Sequence, residues 1–542
     1  MKNRKIVLSF IVTVLALASQ AQSVNSNPYL YKKNGITQLI VDQKPFLIIG
    51  GELGNSSASS NEYMAPVWPK LKAMHLNTVL TPVYWELMEP IENKFDFTLL
   101  DTAIKNARAN NIKLVLLWFG AWKNSMSCYA PEWVKKNQTR FPRAQDQSGK
   151  GMEILSAFDD NNLQADMKAF KALMTHVKQT DAVQKTVIMV QVENEIGMLK
   201  EAREYTAAAN ALFQKDVPSE LVNYLNKHKD SLVPELRDRW AATGFTGTGN
   251  WENMFGKSLE TDEIFQAWHY AKYVEAVAAA GKSIYNIPMY VNAALNYRNV
   301  KPGQYPSAGP LPQVMDIWQA AAPAIDMLSP DFYNPYFRQY SKLYVRRNNP
   351  FFIPEIHFEP DDAAKVFYAI GHYKSIGFSP FSIESTNHPQ DEPIAKSYEI
   401  LHQLFPIISR QTNFGTDGVL VEKNEPEQIV KLGKYEITVK HELTLGWSPK
   451  SKDSVWAMGG GIIIQTGEDE FIIGGTGIVC TFSLAIPSQD SIGILKTDEG
   501  KFVNGKWLPG RRMNGDQDHQ GRHVRVPAGE WGIQKVALYS YK

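Results

Sequence analysis

Short apolar runs alternate with amphipathic stretches between about residues 45 and 410, and this alternation limits the possible folds more than any other feature. Eight such strand–helix units occur, beginning with the strand Pro45–Glu52 and ending with the helix Pro393–Leu404. Strands that alternate with helices form a parallel sheet with crossover helices. Eight units of this length predict an α/β fold, a (β/α)8 or TIM barrel, over residues 22–410. A doubly wound open sheet is the alternative, but no glycine-rich dinucleotide turn follows the first strand.

The pattern changes from about residue 411 onward. Long helical stretches disappear, and glycine-rich turns separate short runs in which apolar and polar residues alternate. Tyr435–Val439 predicts one such strand, and Leu443–Trp447 predicts another. We therefore expect an all-β, sandwich-like domain over residues 411–542. The sequence leaves open whether this domain only packs against the barrel or also binds carbohydrate.

The first 21 residues are typical of a secretory signal peptide. Three basic residues precede the apolar run Ile6–Ala18, and the small residues Ser19 and Ala21 indicate cleavage after Ala21. The run is short for a membrane span, and no cysteine lies near the cleavage site to carry a lipid anchor. We expect a periplasmic or secreted protein with no stable insertion in a membrane.

Charge and cysteine content exclude some classes of function. The 542 residues carry a formal net charge of +1 without a long basic block, which argues against a nucleic-acid partner. Cys128 and Cys480 are the only cysteines, and they fall in different predicted domains, so a disulfide is possible but not expected. The acidic pair Asp361 and Asp362 is explained more simply by a helix start than by a metal site. No metal or other cofactor is predicted, and the oligomeric state is left open.

Two predicted strands each deliver a glutamate at their carboxyl end. The fourth strand, Thr186–Val190, continues into Gln191–Gly197, which contains Glu193, Asn194 and Glu195; the seventh, Phe351–Ile356, contains Glu355. A single glutamate at a strand end is usually only solvated. The carboxyl ends of barrel strands meet at one mouth, however, so we expect paired carboxyl groups there.

Paired carboxyl groups suit the cleavage of a glycosidic bond. One carboxyl protonates the leaving oxygen, and the other acts beneath the anomeric carbon. Burial and neighbouring charge separate their pKa values, so that one is protonated while the other is ionised. Asn194, next to Glu195, could bind the sugar 2-hydroxyl, a contact that strengthens in the transition state.

The segment Gln191–Gly197 resembles the Gln-Ile-Glu-Asn-Glu-Tyr-Gly motif of glycoside hydrolase family 35 β-galactosidases, which belong to the clan A (β/α)8 glycosidases. Gly50–Glu52 and Val83–Pro90 are similar to that family's first two strand ends, and the β-rich tail resembles that of a bacterial subgroup. The resemblance implies that Glu195 is the general acid/base and Glu355 the nucleophile. It also implies that residues 193 and 194, Glu and Asn, belong to the sugar-binding shell.

Further pocket residues are expected from the same resemblance. Glu52 and Tyr84 are expected to line the pocket, and Tyr333 to hydrogen-bond the nucleophile. The family commonly ends its third strand with Ala-Glu-Trp, whose carboxylate holds sugar hydroxyls, but Trp118–Asn124 contains no carboxylate. Trp118, Trp122 and Lys123 are the candidates to replace it, although the two aromatic residues also suit the core.

The resemblance implies a retaining, exo-acting β-galactosidase that releases terminal non-reducing β-D-galactosyl residues, with plant cell-wall oligosaccharides or polysaccharides as the expected source. One alternative is another clan A retaining β-glycosidase, either β-glucosidase-like or endo-acting, since the third strand end departs from the family. The other is a catalytically silent sugar-binding barrel. Glu195 and Glu355 argue against the silent barrel, because a binding protein has no need of both.

Overall fold

The computed structural model describes residues 26–296, 299–346, 348–410 and 414–542. Eight parallel strands close into a barrel in chain order, which confirms the predicted fold class. The predicted signal peptide, residues 1–21, lies outside the described residues. The barrel strands, β1 to β8, are Ile48–Glu52, Thr78–Tyr84, Lys113–Lys123, Val187–Asn194, Met289–Ala294, Met327–Phe332, Ile353–Ile356 and Gly377–Pro380.

Helices cover the outside of the barrel and connect its strands. The connection from β4 to β5 holds the long helix Leu259–Ile284 together with an excursion of four shorter helices. The spacing of apolar residues over Tyr63–His75 predicts one helix, but the structure divides it at Pro66, whose ring nitrogen has no N–H to continue the helical hydrogen bonds. The α-helices are Asn61–Met64, Val67–Ala73, Trp85–Met88, Thr98–Ala109, Glu132–Lys135, Asp160–Asp181, Ala207–Phe213, Ser219–His228, Pro234–Ala242, Trp251–Phe255, Leu259–Ile284, Met315–Ala321, Phe337–Tyr344, Asp362–Gly371 and Pro393–Ile408.

The strands point alternate side chains to two apolar layers, as barrel strands do. Leu80, Leu117 and Tyr290 belong to the inner layer, which fills the barrel. Trp118 and Phe170 belong to the outer layer between strands and helices. This division decides which polar residues near the strand ends can reach the mouth.

Smaller antiparallel elements flank the barrel, with strands Tyr29–Lys33, Ile36–Val41, Lys44–Phe46, Arg143–Gln145 and Gly151–Leu155.

The C-terminal region forms two antiparallel sheets that face each other across an apolar core, as the sandwich prediction requires. One sheet contains Thr416–Val421, Gly459–Gly467, Glu470–Thr476, Gly532–Tyr541, Ser491–Val503 and Lys506–Met513. The other contains Glu427–Leu432, Tyr435–His441, Ile478–Leu484 and Val524–Val526.

The prediction of a strand at Leu443–Trp447 is wrong. This segment begins instead with the 3-10 helix Glu442–Leu445, because the His441 ring accepts the N–H of Leu443 at 3.1 Å.

The six-stranded sheet packs directly on the helix Asp362–Gly371, which follows β7. Two strands approach the helix through glycines. A Cβ atom added to Gly460 would lie 2.6 Å from the carbonyl oxygen of Ala364, and one added to Gly418 would lie 2.4 Å from that of Phe367. The backbone of the sandwich therefore contacts the backbone of the helix that follows β7, the strand that carries Glu355. No helix in the described ranges is both long enough and apolar enough to cross a membrane.

Candidate active site

Three carboxyl groups from three strand ends meet in the mouth of the barrel. Glu195 follows β4, Asp331 lies in β6 and Glu355 lies in β7. One oxygen atom from each group lies within 4.8 Å of the corresponding oxygen of the other two. All three residues are buried. The predicted pair Glu195 and Glu355 is therefore brought together across the barrel.

Glu355 has two further polar neighbours that the sequence predicted for the pocket. The hydroxyl of Tyr333 donates a hydrogen bond to Glu355 Oε1, which is the contact expected for this tyrosine. Glu52, at the end of β1, is fully buried and adjoins the Glu355 carboxyl closely enough to share a proton with it. Four carboxyl groups thus occupy one mouth.

Asp331 is a site residue that sequence reasoning missed. Its Oδ2 accepts a hydrogen bond from Asn292 Nδ2 at 2.7 Å, and Asn292 Oδ1 accepts the backbone N–H of Glu195 at 2.9 Å. Asn292, in β5, therefore links the Asp331 carboxyl to the backbone of Glu195. An acidic residue inside the apolar run Met327–Phe332 was the available signal, of the same kind that identified Glu355.

The backbone leaves β4 through two strained residues. Glu193 and Glu195 have φ values of 60° and 46°, in the left-handed region that residues other than glycine rarely occupy. The N–H of Ser125 donates to the Glu195 carbonyl at 3.1 Å and helps to hold this turn. Such strain persists only where surrounding contacts impose it, and it concentrates at functional sites.

Burial and neighbouring charge give the four carboxyl groups different protonation states. Burial raises the pKa of Glu195 to about 7, and the nearby Glu355 carboxylate adds to the shift. The pKa values of Glu52 and Asp331 are raised well above their usual range, first by burial and then by the charge of Glu355. Burial also raises the pKa of Glu355, but Lys123 and the Tyr333 hydroxyl oppose that shift by stabilising its ionised form. Lys123 and Tyr333 thus favour the ionised form of Glu355, beside a Glu195 that can still carry a proton near neutral pH.

Lys123 brings a positive charge to the same mouth. It is the last residue of β3, is 5% exposed, and pairs in register with Asn194 of β4. Its ammonium nitrogen lies 5.1 Å from the centroid of the Phe119 ring, which belongs to the inner layer. Lys123 lowers the pKa of Glu52, Glu195 and Glu355. Of the three candidates at the third strand end, it is the one that acts on the carboxyl groups.

Two sequence comparisons match part of the chain to β-galactosidases. Residues 59–250 match the Glyco_hydro_42 family model, described as Beta-galactosidase. A β-galactosidase of Xanthomonas manihotis is 27% identical over 254 residues, which are 46% of this chain and 40% of that protein. Residues 59–250, which form the first half of the barrel, are thus similar to a glycoside hydrolase family. The chain spans less than half the length of this relative, and the matching family model is that of family 42, so membership of family 35 is not confirmed.

Solved structures with similar folds include further glycosidases. A β-galactosidase of the psychrophilic Marinomonas ef1 has a TM-score of 0.46 and 11% identity, over 67% of this chain and 60% of that one. The catalytic domain of a β-amylase of Paenibacillus polymyxa has a TM-score of 0.44 and 13% identity, over 66% and 98% of the two chains. Residues 394–525 match a domain of unknown function, DUF5597, which includes the last barrel helix and most of the sandwich.

Two of the predicted sugar-binding residues point away from the carboxyl cluster. Glu193 Oε2 accepts the backbone N–H of Trp122 at 2.7 Å, and its carboxyl shares a hydrogen bond with the buried Asp166. Trp118 Nε1 donates to the same aspartate at 2.8 Å. Burial and the Asp166 charge raise the pKa of Glu193 well above its usual range. Glu193 and Trp118 therefore form a buried network between the barrel and its helices, and their placement does not support a role in binding substrate.

Asn194 and Tyr84 have polar atoms that are available for hydrogen bonds. Both side-chain atoms of the Asn194 amide, and the Tyr84 hydroxyl, are buried without a hydrogen-bond partner among the described residues. The Tyr84 ring packs against Phe119 and Tyr129 at centroid distances of 5.9 and 5.5 Å. Unpaired buried groups of this kind are costly unless a ligand or water satisfies them. Asn194, which immediately precedes Glu195, fits its predicted contact with a sugar hydroxyl.

A loop covers the turn that carries Glu195. Residues 303–309 pair with it through mutual backbone hydrogen bonds between Met198 and Ser307 at 2.8 and 2.9 Å. Glu263, from the helix Leu259–Ile284, holds the loop from behind, since its carboxyl accepts hydrogen bonds from the Tyr305 hydroxyl and the Ala308 N–H at 2.9 and 3.1 Å. The position of Glu195 thus depends on a second layer of buried contacts.

The acidic residues that follow β7 have structural partners. Asp362 Oδ2 accepts the N–H of Glu359 at 3.1 Å, as expected at a helix start, and Asp361 Oδ1 accepts the N–H of Met458 from the sandwich at 3.0 Å. A metal-ligand geometry exists instead among the oxygen atoms of Glu195, Asp331 and Glu355. These are oxygen donors of the kind that hard cations prefer, but burial raises the pKa of Glu195 to about 7 and that of Asp331 well above its usual range, which favours their protonated forms. The arrangement is suited to proton transfer.

Proposed function

We propose that this protein is a retaining, exo-acting β-galactosidase that hydrolyses terminal non-reducing β-D-galactosyl residues by double displacement. The separation of the two predicted catalytic carboxyl groups carries the proposal. One oxygen of Glu195 and one of Glu355 lie within 4.8 Å of each other. Retaining glycosidases have carboxyl groups about 5–5.5 Å apart, whereas inverting enzymes need about 6.5–9.5 Å to admit a water molecule.

The first displacement uses the unequal pKa values of the pair. Glu355 is ionised, and its carboxylate oxygen attacks the anomeric carbon. Glu195, with a pKa of about 7, donates its proton to the glycosidic oxygen as the bond to the aglycone breaks. The products are a covalent glycosyl ester on Glu355 and an aglycone that leaves with a new hydroxyl group.

The second displacement reverses the roles of the groups. Glu195, now ionised, takes a proton from a water molecule, and the water oxygen attacks the anomeric carbon. The ester bond breaks, which returns Glu355 to its carboxylate form and Glu195 to its protonated form. Two inversions give net retention. Tyr333, which donates to Glu355 Oε1, stabilises the carboxylate both before attack and after release.

The source of the galactosyl residue and the location of the protein are also part of the proposal. The motif Gln191–Gly197 and the matching model agree on a β-galactosidase, and the motif supports assignment to family 35. The leader-like residues 1–21 support export to the periplasm or the medium. A plant cell-wall oligosaccharide or polysaccharide is the substrate that this context favours. Fractionation of cells that express the full chain, with mass spectrometry of the N-terminus, tests the location.

Hydrolysis of aryl glycosides tests the activity directly. The purified protein should release nitrophenol from the β-galactoside and not from the β-glucoside, and NMR of the first sugar product should show the β anomer. Faster turnover of the β-glucoside would favour the alternative clan A activity. Sugar binding without turnover of any aryl glycoside would establish the silent barrel instead.

Replacement of the nucleophile gives a sharper test. Glu355→Ala should reduce kcat by several orders of magnitude, because no group remains to form the covalent intermediate. Added azide should restore turnover with a glycosyl azide of inverted anomeric configuration as product. Glu132→Ala is the matched control, since that glutamate is exposed on a surface helix and should keep full activity. A Glu355→Ala variant with unchanged kcat would refute the assignment.

A further inference from the structure

Strand β3 places its terminal lysine at the mouth of the barrel. The strand runs from Lys113 to Lys123, and its pairing with β4 shifts register between Trp118 and Lys123. The chain then turns sharply through Asn124 and Ser125, which have φ values of 51° and 59°. Backbone hydrogen bonds from these two residues to the carbonyl groups of Asn194 and Glu195, at 3.2 and 3.1 Å, fasten the turn to the acid/base segment. Lys123 is therefore held by the backbone that positions Glu195.

The Lys123 side chain is largely buried, and its ammonium group has no direct anionic partner among the described residues. Among the residues that the structure describes, no carboxylate oxygen lies within 4.0 Å of its Nζ atom. Its pairing in register with Asn194 places it beside the end of β4, and it lowers the pKa of Glu52, Glu195 and Glu355 from there. The ammonium group has three N–H donors, and no hydrogen bond within the described part of the chain uses them. The arrangement calls for an oxygen ligand between Lys123 and the carboxyl groups.

We propose that Lys123 determines sugar specificity by donating a hydrogen bond to a ring or exocyclic hydroxyl of a neutral pyranoside bound against Glu195 and Glu355. This proposal rests on the proposed glycosidase function and identifies the group that recognises the sugar. A sugar hydroxyl accepts from the ammonium and donates to a carboxylate, so it can bridge the gap that the structure leaves. Lys123 thus supplies a hydrogen-bond donor at the end of the third strand, where the family resemblance predicts a carboxylate that accepts hydrogen bonds.

The charges around the cavity select a neutral sugar over a uronic acid. Glu52, Glu195, Asp331 and Glu355 already surround the site, and Lys123 opposes the charge of the ionised Glu355. A sugar carboxylate would add a second ionised group beside Glu355, with a single lysine to balance both charges. Like charges in a buried site repel strongly, so a uronide should bind poorly.

Deoxygenated substrates identify the hydroxyl that Lys123 binds. The experiment compares wild type and Lys123→Met on the nitrophenyl β-galactoside and on its 3-deoxy, 4-deoxy and 6-deoxy analogues. We expect Lys123→Met to lose about 10- to 100-fold in kcat/KM on the galactoside, as for a hydrogen bond to a charged group. On one deoxy analogue the two proteins should differ by less than about 3-fold, because its partner hydroxyl is already absent.

The ratio between substrates keeps the test valid if the variant is partly unfolded, since both rates scale with the same active fraction. Lys136→Met, at an exposed lysine of the next helix, is the control and should match wild type on every substrate. Equal losses by Lys123→Met on all four substrates would overturn the inference, as would wild-type turnover of the β-galacturonide at or above the rate for the galactoside. Absence of any turnover by wild type would instead refute the proposed function, and this inference with it.

Discussion

At the scale of single residues, the cluster separates two carboxyl groups of the same chemical type by their surroundings. Glu195 has burial and the Glu355 charge acting against ionisation, whereas Lys123 and the Tyr333 hydroxyl favour the ionised form of Glu355. Asp331 opposes the upward shift at Glu195 through a hydrogen bond. The protonation of Glu195 therefore depends on Glu355 of β7, Lys123 of β3 and Asp331 of β6.

The pH dependence of kcat/KM should reflect this division. Activity requires a protonated Glu195, so it should fall as the pH rises through about 7. It also requires an ionised Glu355, so it should fall on the acid side at a pH above the usual carboxyl value. Asp331→Ala removes a hydrogen bond that lowers the pKa of Glu195, and it should move the basic limb to higher pH while the acid limb stays in place. Stopped assays between about pH 4 and 9 measure both limbs. A basic limb that moves down in Asp331→Ala would contradict the assignment of Glu195.

The predicted site residues that the structure brings together are those for which position at a strand end is sufficient. Glu195, Glu355 and Glu52 meet because barrel closure brings all strand ends to one mouth. Glu193 could not be placed in this way. Regular alternation would turn it to the same side as Gln191, but its left-handed backbone turns it toward Trp122 and the outer layer. A positive φ outside glycine is imposed by tertiary contacts, and the local sequence does not encode it.

At the scale of elements, the helix Leu259–Ile284 supports the site through a carboxyl group far from the chemistry. Glu263 is fully surrounded, and burial raises its pKa to about 7 despite several hydrogen bonds to its oxygens. The loop that it anchors meets the segment after Glu195 at very short range. A Cβ atom on Gly309 would lie 2.5 Å from the carbonyl oxygen of Ile196. Any shift of the loop must therefore move the acid/base segment.

Removal of this anchor should affect both stability and activity. Glu263→Ala leaves the Tyr305 hydroxyl and the Ala308 N–H buried without their acceptor, so we expect a loss of about 2–3 kcal/mol in the free energy of unfolding. The kcat/KM of the folded fraction should also fall, because Glu195 is no longer held in place. Urea denaturation and initial rates measure the two effects. Glu220→Ala, at an exposed glutamate on a neighbouring helix, should change neither quantity measurably. Equal behaviour of the two variants would exclude a supporting role for Glu263.

Element boundaries were predictable where periodicity and caps agree, and not where a single side chain redirects the backbone. The residue pattern of Glu260–Tyr285 predicts a helix, and one is observed at Leu259–Ile284, capped by the Ser258 side chain, which accepts the N–H of Thr261. By contrast, the apolar alternation at Leu443–Trp447 predicts a strand, but the His441 ring caps a 3-10 turn there. Alternation over so few residues fits both structures, and the capping contact decides between them.

At the scale of the whole molecule, the sandwich and the barrel meet where there is no room for side chains. Gly418 and Gly460 lie against the helix Asp362–Gly371, and a Cβ atom on Gly371 would lie 2.6 Å from Gly418 Cα. The division into 22–410 and 411–542 stays a prediction, although the last barrel helix ends at Ile408 and the first strand of the sandwich begins at Thr416. The general architecture was readable from the sequence, but the glycine contacts were not, because a glycine in a strand pattern indicates close approach without naming the partner.

Filling this contact should loosen the junction. Gly460→Ala places a Cβ atom 2.6 Å from the Ala364 carbonyl oxygen, so the sheet or the helix must move, at a cost of about 1–3 kcal/mol. Calorimetry should show a lower unfolding temperature, and kcat/KM should fall because the helix follows β7. Gly247→Ala is the matched control, since its nearest neighbour would be a side-chain carbon at 3.7 Å. An unfolding temperature equal to that of the control would show that the junction can accommodate a Cβ atom at residue 460.

The same contact restricts how such proteins can exchange parts. A foreign domain grafted in place of the sandwich must present two bare backbone positions at the spacing of Gly418 and Gly460, or it cannot lie flat on the helix. A sandwich that carries side chains at these two positions would be held away from the barrel. A domain can therefore replace the sandwich by recombination only if it has glycine at both positions. Shortening the chain to its barrel would likewise uncover a helix face whose only close-fitting cover is the domain removed.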